Sequence, residues 1–177
     1  AELSSQVNIT KLDRAPHHVV AYLDPEEFKS TWLGNKAIYR TRLAIADGGR
    51  LTVLGPAVEE FGEDREIDRL IRKYGYRTKS EILQLVEENE DLAANPSAAA
   101  HLVHGSHENR FEVVYAAGAL TAEEIRSVNY SPGNLEELMS RYDIAKLNDG
   151  WHRDEDGSEF YFIRNPALGL WQAPQAA

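Results

Sequence analysis

The sequence predicts an α/β fold, a three-layer sandwich in which helices cover both faces of a mainly parallel sheet. Short apolar runs typical of buried strands occur at residues 19–23, 51–54, 111–116 and 160–163. Amphipathic helical patterns lie between them, at 63–74, 78–92, 95–104 and 134–142. Turn signals and aromatic residues after position 143 predict a short C-terminal β-hairpin-like tail.

The segment 19–54 predicts a strand, a helix, a tight turn and a second strand. Asp24 is a suitable N-cap, Pro25 suits the first helical position, and Glu27 completes a capping box. The helix is therefore expected over residues 24–46, and Gly48 is expected in the turn that ends it. A helix between two strands favours a parallel strand pair.

The later helices begin with equally clear signals. Thr78 with Glu81 forms a capping box that opens a helix expected over residues 78–92. Asn95 and Pro96 open the next helix with a cap and a proline at the first helical position. These patterns predict supporting elements and carry no chemistry of their own.

The chain divides into three predicted segments. Residues 1–16 are expected to be a connecting segment, residues 17–142 an α/β domain, and residues 143–177 a C-terminal extension packed on it. The sequence begins Ala-Glu-Leu, without an initiator methionine. We therefore expect the chain to be a fragment of a longer protein.

Composition excludes several classes of function. The net charge of −10 argues against nucleic-acid and anionic-membrane partners, which need a basic surface. The absence of cysteine excludes disulfides and thiolate metal sites and favours a cytoplasmic protein. The first 50 residues are nearly balanced in charge, whereas the remainder is acidic. A small anion is the ligand expected near the balanced region.

Lys36 is the candidate catalytic residue. On a continuous helix, Trp32, Tyr39 and Leu43 would share its face, with Lys29 and Arg40 beside it. Such a face suits a carboxylate ligand, because cations bind the anion and aromatic rings exclude water. The alternative interpretation is that the Lys36 stem covers apolar surface while its ammonium group stays in water.

His101, His104 and His107 form an H-x-x-H-x-x-H pattern that invites a test for a metal site. The pattern fails, because Gly105 is expected to end the helix before His107 and no carboxylate stands at a matching offset. We expect no metal-binding or cofactor-binding residues in this chain. A hydrogen-bonded structural histidine is one interpretation of this pattern and a substrate-facing histidine is the other, and His101 is retained as a candidate substrate-binding residue.

Five stretches resemble the C-terminal domain of the nickel-dependent lactate racemase family, the last of them the tail found in one branch of that family. They are WLGNKAIY at 32–39 with ADGG at 46–49, FGEDREIDRLIRKYGY at 61–76, AAHLVHGS at 99–106 and NPALGLW at 165–171. The resemblance implies an isomerase that interconverts the stereochemistry of 2-hydroxy acids. It also implies a nickel pincer nucleotide in the full-length protein, which accepts a hydride from substrate C2 and returns it to the other face.

In that family the cofactor's covalent lysine, the nickel ligand and the proton-transferring histidines belong to an N-terminal domain, and they have no counterpart here. The resemblance therefore implies that this chain is inactive alone and has that N-terminal domain as its partner.

Lys36 matches the family's active-site lysine. Trp32 and Leu33 stand where the lactate enzyme has tyrosine and glutamine, which implies a bulkier 2-hydroxy acid than lactate. The helix of His101 approaches the family's cleft, so the candidate substrate-binding set is Trp32, Leu33, Lys36, Tyr39 and His101.

A second interpretation belongs to a different class of protein. The chain would then be a non-catalytic α/β interaction module that docks a partner through the acidic helices at 63–92. Partner binding through those helices would distinguish this alternative from a substrate-binding domain.

Overall fold

The computed structural model describes residues 8–174. The strands are β1 (Asn8–Lys11), β2 (His18–Tyr22), β3 (Arg50–Gly55), β4 (Glu112–Ala117), β5 (Ser131–Pro132), β6 (Gly150–Arg153), β7 (Glu159–Ile163) and β8 (Gly169–Gln172). The helices are α1 (Thr31–Gly34), α2 (Lys36–Tyr39), α3 (Arg65–Tyr74), α4 (Lys79–Glu88), α5 (Glu90–Ala93), α6 (Pro96–His104), α7 (Ala122–Ser127) and α8 (Leu135–Arg141). A short 3-10 helix spans Pro166–Leu168. Within the described range, no helix combines the length and apolar character needed to cross a membrane.

The central sheet has six strands in the order β5-β4-β3-β2-β7-β6. Every neighbouring pair is parallel except β6 and β7, which form the antiparallel hairpin. The expected α/β class, the mainly parallel sheet and the terminal hairpin are thereby confirmed. The parallel pairing of β2 with β3 is confirmed as well.

Side chains alternate between the two faces of this sheet, as the period of two in a strand requires. Along β2, Val19 and Ala21 join the larger apolar cluster, whereas Val20 joins a second, smaller one. The larger cluster includes buried residues of α2, α3, α4 and α6. Leu135 and Leu138 of α8 pack against the smaller cluster. The helices therefore lie on both faces, and the candidate site belongs to the face that carries α1, α2 and α6.

The C-terminal hairpin is part of the central sheet. Strand β7 lies beside β2, and β6 forms the edge. Near the chain's other end, β1 pairs in parallel with β8 to form a separate two-stranded sheet. The division into segments 1–16, 17–142 and 143–177 stays a prediction, and the first seven residues lie outside the described range.

The continuous helix expected over residues 24–46 is wrong. Asp24 closes a single turn, in which its carboxylate accepts from the backbone N–H of Glu26 at 2.8 Å. Ser30 then adopts an extended conformation and forms a parallel bridge with Glu60. The amide of the next residue, Thr31, donates to the Glu60 carbonyl instead of a helical partner. Hydrogen bonds to the loop after β3 therefore replace the hydrogen bonds of a continuous helix. Only the short helices α1 and α2 form within the expected range.

The helix expected over residues 78–92 is also divided. Its capping box is present, with both the Thr78 side chain and the Glu81 side chain bonded to backbone amides. Asn89 is extended, with φ −131° and ψ 116°, and separates α4 from α5. Elsewhere Gly48 has a positive φ of 78°, as expected for the turn before β3.

Candidate functional site

A cavity of about 350 Å³ lies between the α1–α2 segment and α6. Its walls are formed by Trp32, Leu33, Asn35, Lys36, Tyr39, Ser97, Ala100, His101 and His104. All five site residues predicted from the sequence therefore line one cavity. Sequence reasoning did not assign the other four to the site. His104 was detectable in principle, since residues three apart on a helix share a face.

The two short helices are held by polar contacts at their ends. The Ser30 hydroxyl accepts from the Leu33 amide at 3.4 Å and caps α1. Asn35 both ends α1 and begins α2, and it is only 1% exposed. Its side-chain amide donates to the Tyr130 hydroxyl at 3.2 Å. The junction is thus anchored in the core, and Lys36 follows it directly.

Helix α6 forms the opposite wall. The Asn95 side chain accepts from the Ala98 amide at 3.1 Å, and Pro96 occupies the first turn, as the sequence predicted. Positions 97, 100, 101 and 104 then fall on one side of the helix at the spacing of neighbouring turns. Gly105 ends the helix, again as predicted.

His101 is the most buried titratable group in the cavity wall, with 6% of its surface exposed. Its Nε2 atom lies 2.7 Å from the hydroxyl of Tyr76, which is also buried. Its ring stacks on Trp32, with centroids 4.8 Å apart. Burial, with a smaller contribution from the nearby His104, lowers the pKa of His101 to about 3. The imidazole is therefore neutral at pH 7.

Lys36 is half-buried and supplies the positive charge of the cavity wall. The helical face proposed around it is wrong in part, because the helix is broken. Lys29 is exposed in the loop before α1, and Leu43 lines a different cavity with residues 44–47. Arg40 lies over the Tyr39 ring at 5.4 Å. Within the described chain, Lys36 is thus the one cation of the predicted three that lines this cavity.

A larger cavity of about 850 Å³ lies where β2, β3, β4 and β7 begin. Its three arginines are all paired with carboxylates. The pairs are Arg14 with Glu159 at 2.9 Å, Arg50 with Glu112 at 3.0 Å, and Arg110 with Asp47 at 2.7 Å. Because these charges are already compensated, we assign the candidate site to the smaller cavity, where Lys36 has no such partner among residues 8–174.

The histidines do not form a metal-binding set. His101 Nε2 contacts Tyr76, and His107 lies beyond the end of α6, where its Nδ1 accepts from the Asn109 amide at 3.0 Å. Across residues 8–174, no three histidine, aspartate or glutamate side chains are placed to hold a metal ion together.

Comparison with known proteins gives structural neighbours only. No family model matches the chain, and no curated protein matches it. A Thermotoga maritima protein solved by structural genomics is similar with a TM-score of 0.73 and 22% identity, over 98% of this chain and 40% of that one. The lactate racemase apoprotein of Thermoanaerobacterium thermosaccharolyticum is similar with a TM-score of 0.61 and 10% identity, over 95% and 38%.

These similarities show the fold. The chain spans less than half the length of either neighbour.

Proposed function

We propose that this chain is the C-terminal, substrate-binding half of a 2-hydroxy acid racemase or epimerase of the nickel-dependent lactate racemase type. Lys36 binds the substrate carboxylate, and Trp32, Leu33, Tyr39 and His101 surround the rest of the molecule. The N-terminal domain of the same protein completes the cleft, and the chain alone is inactive. The substrate is a 2-hydroxy acid bulkier than lactate.

One observation carries this proposal: Lys36 lines a cavity together with two aromatic side chains, Trp32 and Tyr39, and the neutral imidazole of His101. A single cation beside apolar rings binds a small anion strongly, because the rings reduce competition from water. The cavity volume of about 350 Å³ suits a small acid. The fold similarity to the lactate racemase apoprotein adds support.

The residues between positions 8 and 174 do not fit a nickel-binding role. The chain has no cysteine, and the described residues include no group of three metal-ligating side chains. A nickel pincer nucleotide in the full-length protein would therefore be held by the other domain. The tasks left to this chain are to bind the carboxylate, orient the substrate and exclude water.

The alternative of an acidic interaction module receives less support. Three carboxylates of the acidic helices already pair with neighbouring basic groups. These pairs are Glu66 with Arg69, Asp68 with Arg72 and Asp91 with Lys73, each at 2.7 Å. The surface therefore offers a partner less uncompensated negative charge than the sequence alone indicates.

Replacement of Lys36 by methionine tests the proposal. The variant keeps the apolar stem and removes the charge, so the affinity for 2-hydroxy acids should fall about tenfold or more. Turnover by the full-length protein should fall at least as much. The free energy of unfolding should change by less than about 0.5 kcal/mol, because the ammonium group has no partner among the described residues.

Lys29→Met is the matched control, because Lys29 is exposed and does not line the cavity. It removes the same charge from the same segment and should leave affinity unchanged. Isothermal titration with several hydroxy acids measures both variants. Equal affinities in wild type and Lys36→Met would reject the role of Lys36, and tight capture of a protein by the acidic helices would favour the alternative.

A further inference from the structure

The hydrogen bonds around His101 determine which of its ring nitrogens carries the proton. Thr31 has one hydroxyl proton, which it donates to the Phe61 carbonyl at 2.9 Å. Its oxygen therefore accepts the proton of the Tyr76 hydroxyl, 2.9 Å away. Tyr76 has then donated its one hydroxyl proton, so its oxygen must accept where it lies 2.7 Å from His101 Nε2. It follows that Nε2 carries the proton and Nδ1 bears a free lone pair.

The free nitrogen is available to a ligand. Among residues 8–174, the His101 side chain makes one hydrogen bond, through Nε2. Its Nδ1 atom therefore has no hydrogen-bond partner in that range. In the same range, the fully buried side-chain atoms without partners are Asn35 Oδ1, Arg40 Nε and Tyr115 Oη, and Nδ1 is not one of them. Nδ1 therefore retains some exposed surface, and it belongs to a residue that lines the cavity.

The tautomer is held firmly. Tyr76 is buried, with 1% of its surface exposed. Its ring stacks on Tyr130, with centroids 4.4 Å apart and an angle of 6° between the ring planes. Thr31 has no exposed surface. Because burial also keeps the imidazole uncharged, with a pKa of about 3, Nδ1 remains an acceptor throughout the neutral pH range.

The cavity therefore offers two complementary groups. Lys36 provides donors to a carboxylate and no acceptor, whereas His101 provides an acceptor to a hydroxyl. We propose that His101 Nδ1 accepts a hydrogen bond from a substrate hydroxyl other than the 2-hydroxyl, so that the site selects 2-hydroxy acids carrying a further hydroxyl group. This inference rests on the proposed function and names its substrate class.

Selectivity follows from the cost of an unpaired acceptor. A deoxy analogue would cover Nδ1 with a methyl group and leave it without a donor. We expect the hydroxylated acid to bind at least about tenfold more tightly than its deoxy analogue, as is typical for one lost hydrogen bond at a buried site.

Lactate and 2,3-dihydroxypropanoate are a matched pair, because they differ only by the 3-hydroxyl. Nitrogen-15 NMR of the imidazoles at pH 7 should first show His101 as the Nε2–H tautomer. Titration with 2,3-dihydroxypropanoate should then shift the Nδ1 resonance upfield, and lactate should leave it in place. An Nδ1–H tautomer, or equal shifts with both acids, would overturn the inference.

Two variants separate ligand recognition from a purely structural role. His101→Asn places an amide oxygen near the position of Nδ1 and should keep the preference for the dihydroxy acid. His101→Gln places an amide N–H near the position of Nε2, so it retains the bond to Tyr76 and should lose the preference. A structural role alone predicts greater loss of stability in His101→Asn and the same preference in both variants.

The outcomes also distinguish this inference from the proposed function. If both acids bind with equal affinity and Lys36→Met abolishes that binding, the proposed function stands and the role of His101 is rejected. If neither acid binds wild type at millimolar concentration, both proposals fail. A tenfold preference that His101→Gln removes and His101→Asn retains supports both.

Discussion

At the scale of single residues, His101 links the candidate site to the stability of the protein. Its folded-state pKa of about 3 lies below the ordinary value of 6.5, mainly because the buried ring is cut off from water. Between those two values the unfolded chain binds a proton that the folded chain does not bind. The free energy of unfolding must therefore fall as the pH falls from 6.5 towards 3.

We predict that this loss amounts to a few kcal/mol, since each pKa unit corresponds to about 1.4 kcal/mol. Urea unfolding of wild type and His101→Gln at several pH values between 7 and 4 measures it. The difference between the two proteins isolates His101 from His18, whose pKa is also lowered by burial, to about 4. Wild type should lose stability faster than the variant on acidification, and parallel curves would contradict the assignment.

At the scale of elements, the sequence predicted those features that depend on contacts between residues close together in the chain. The capping residues Thr78 and Asn95 begin their helices as the sequence indicates, because each cap contacts an amide only three positions away. The break near Ser30 was not predictable in this way. It depends on hydrogen bonds to Glu60, which lies 30 positions later and has no visible pattern linking it to Ser30.

The same distinction applies to the candidate site. Trp32, Lys36 and Tyr39 lie close together in sequence, so even a broken helix keeps them on one wall of the cavity. Lys29 and Leu43 are separated from them by irregular backbone, and a period of 3.6 residues does not apply there. Nothing local indicated Asn35, because its role depends on the distant Tyr130.

The capping box of α4 gives the prediction at this scale. Thr78→Ala removes the oxygen that accepts from the Glu81 amide at 3.3 Å, and it should lower the free energy of unfolding by about 1 kcal/mol. Thr78→Ser keeps the hydroxyl and should behave nearly as wild type. Chemical denaturation measures both variants. Equal loss in the two variants would assign the effect to the Thr78 methyl group instead of the cap.

At the scale of the whole molecule, the order of the strands in the sheet could not be predicted from the sequence pattern. Alternating side chains indicate that a segment is a strand, but they do not identify its neighbours. Strand β7 lies beside β2, although about 140 residues separate them in the chain. Its Phe162 and Ile163 are buried to 0% and 1% exposure, one in each apolar cluster. The C-terminal segment therefore contributes to the core on both sides of the sheet.

This arrangement predicts how truncation affects folding. A chain ending at Tyr142 lacks β6 and β7, which leaves β2 as an unpaired edge and exposes Val20 and Leu54 on the second face. Such a chain should show no cooperative thermal transition by circular dichroism and should aggregate through the free edge. A chain ending at Arg164 keeps both strands and should unfold cooperatively at a lower temperature, because it lacks β8, the partner of β1. Cooperative unfolding of the shorter chain near the wild-type temperature would instead establish residues 17–142 as a domain that folds without the C-terminal segment.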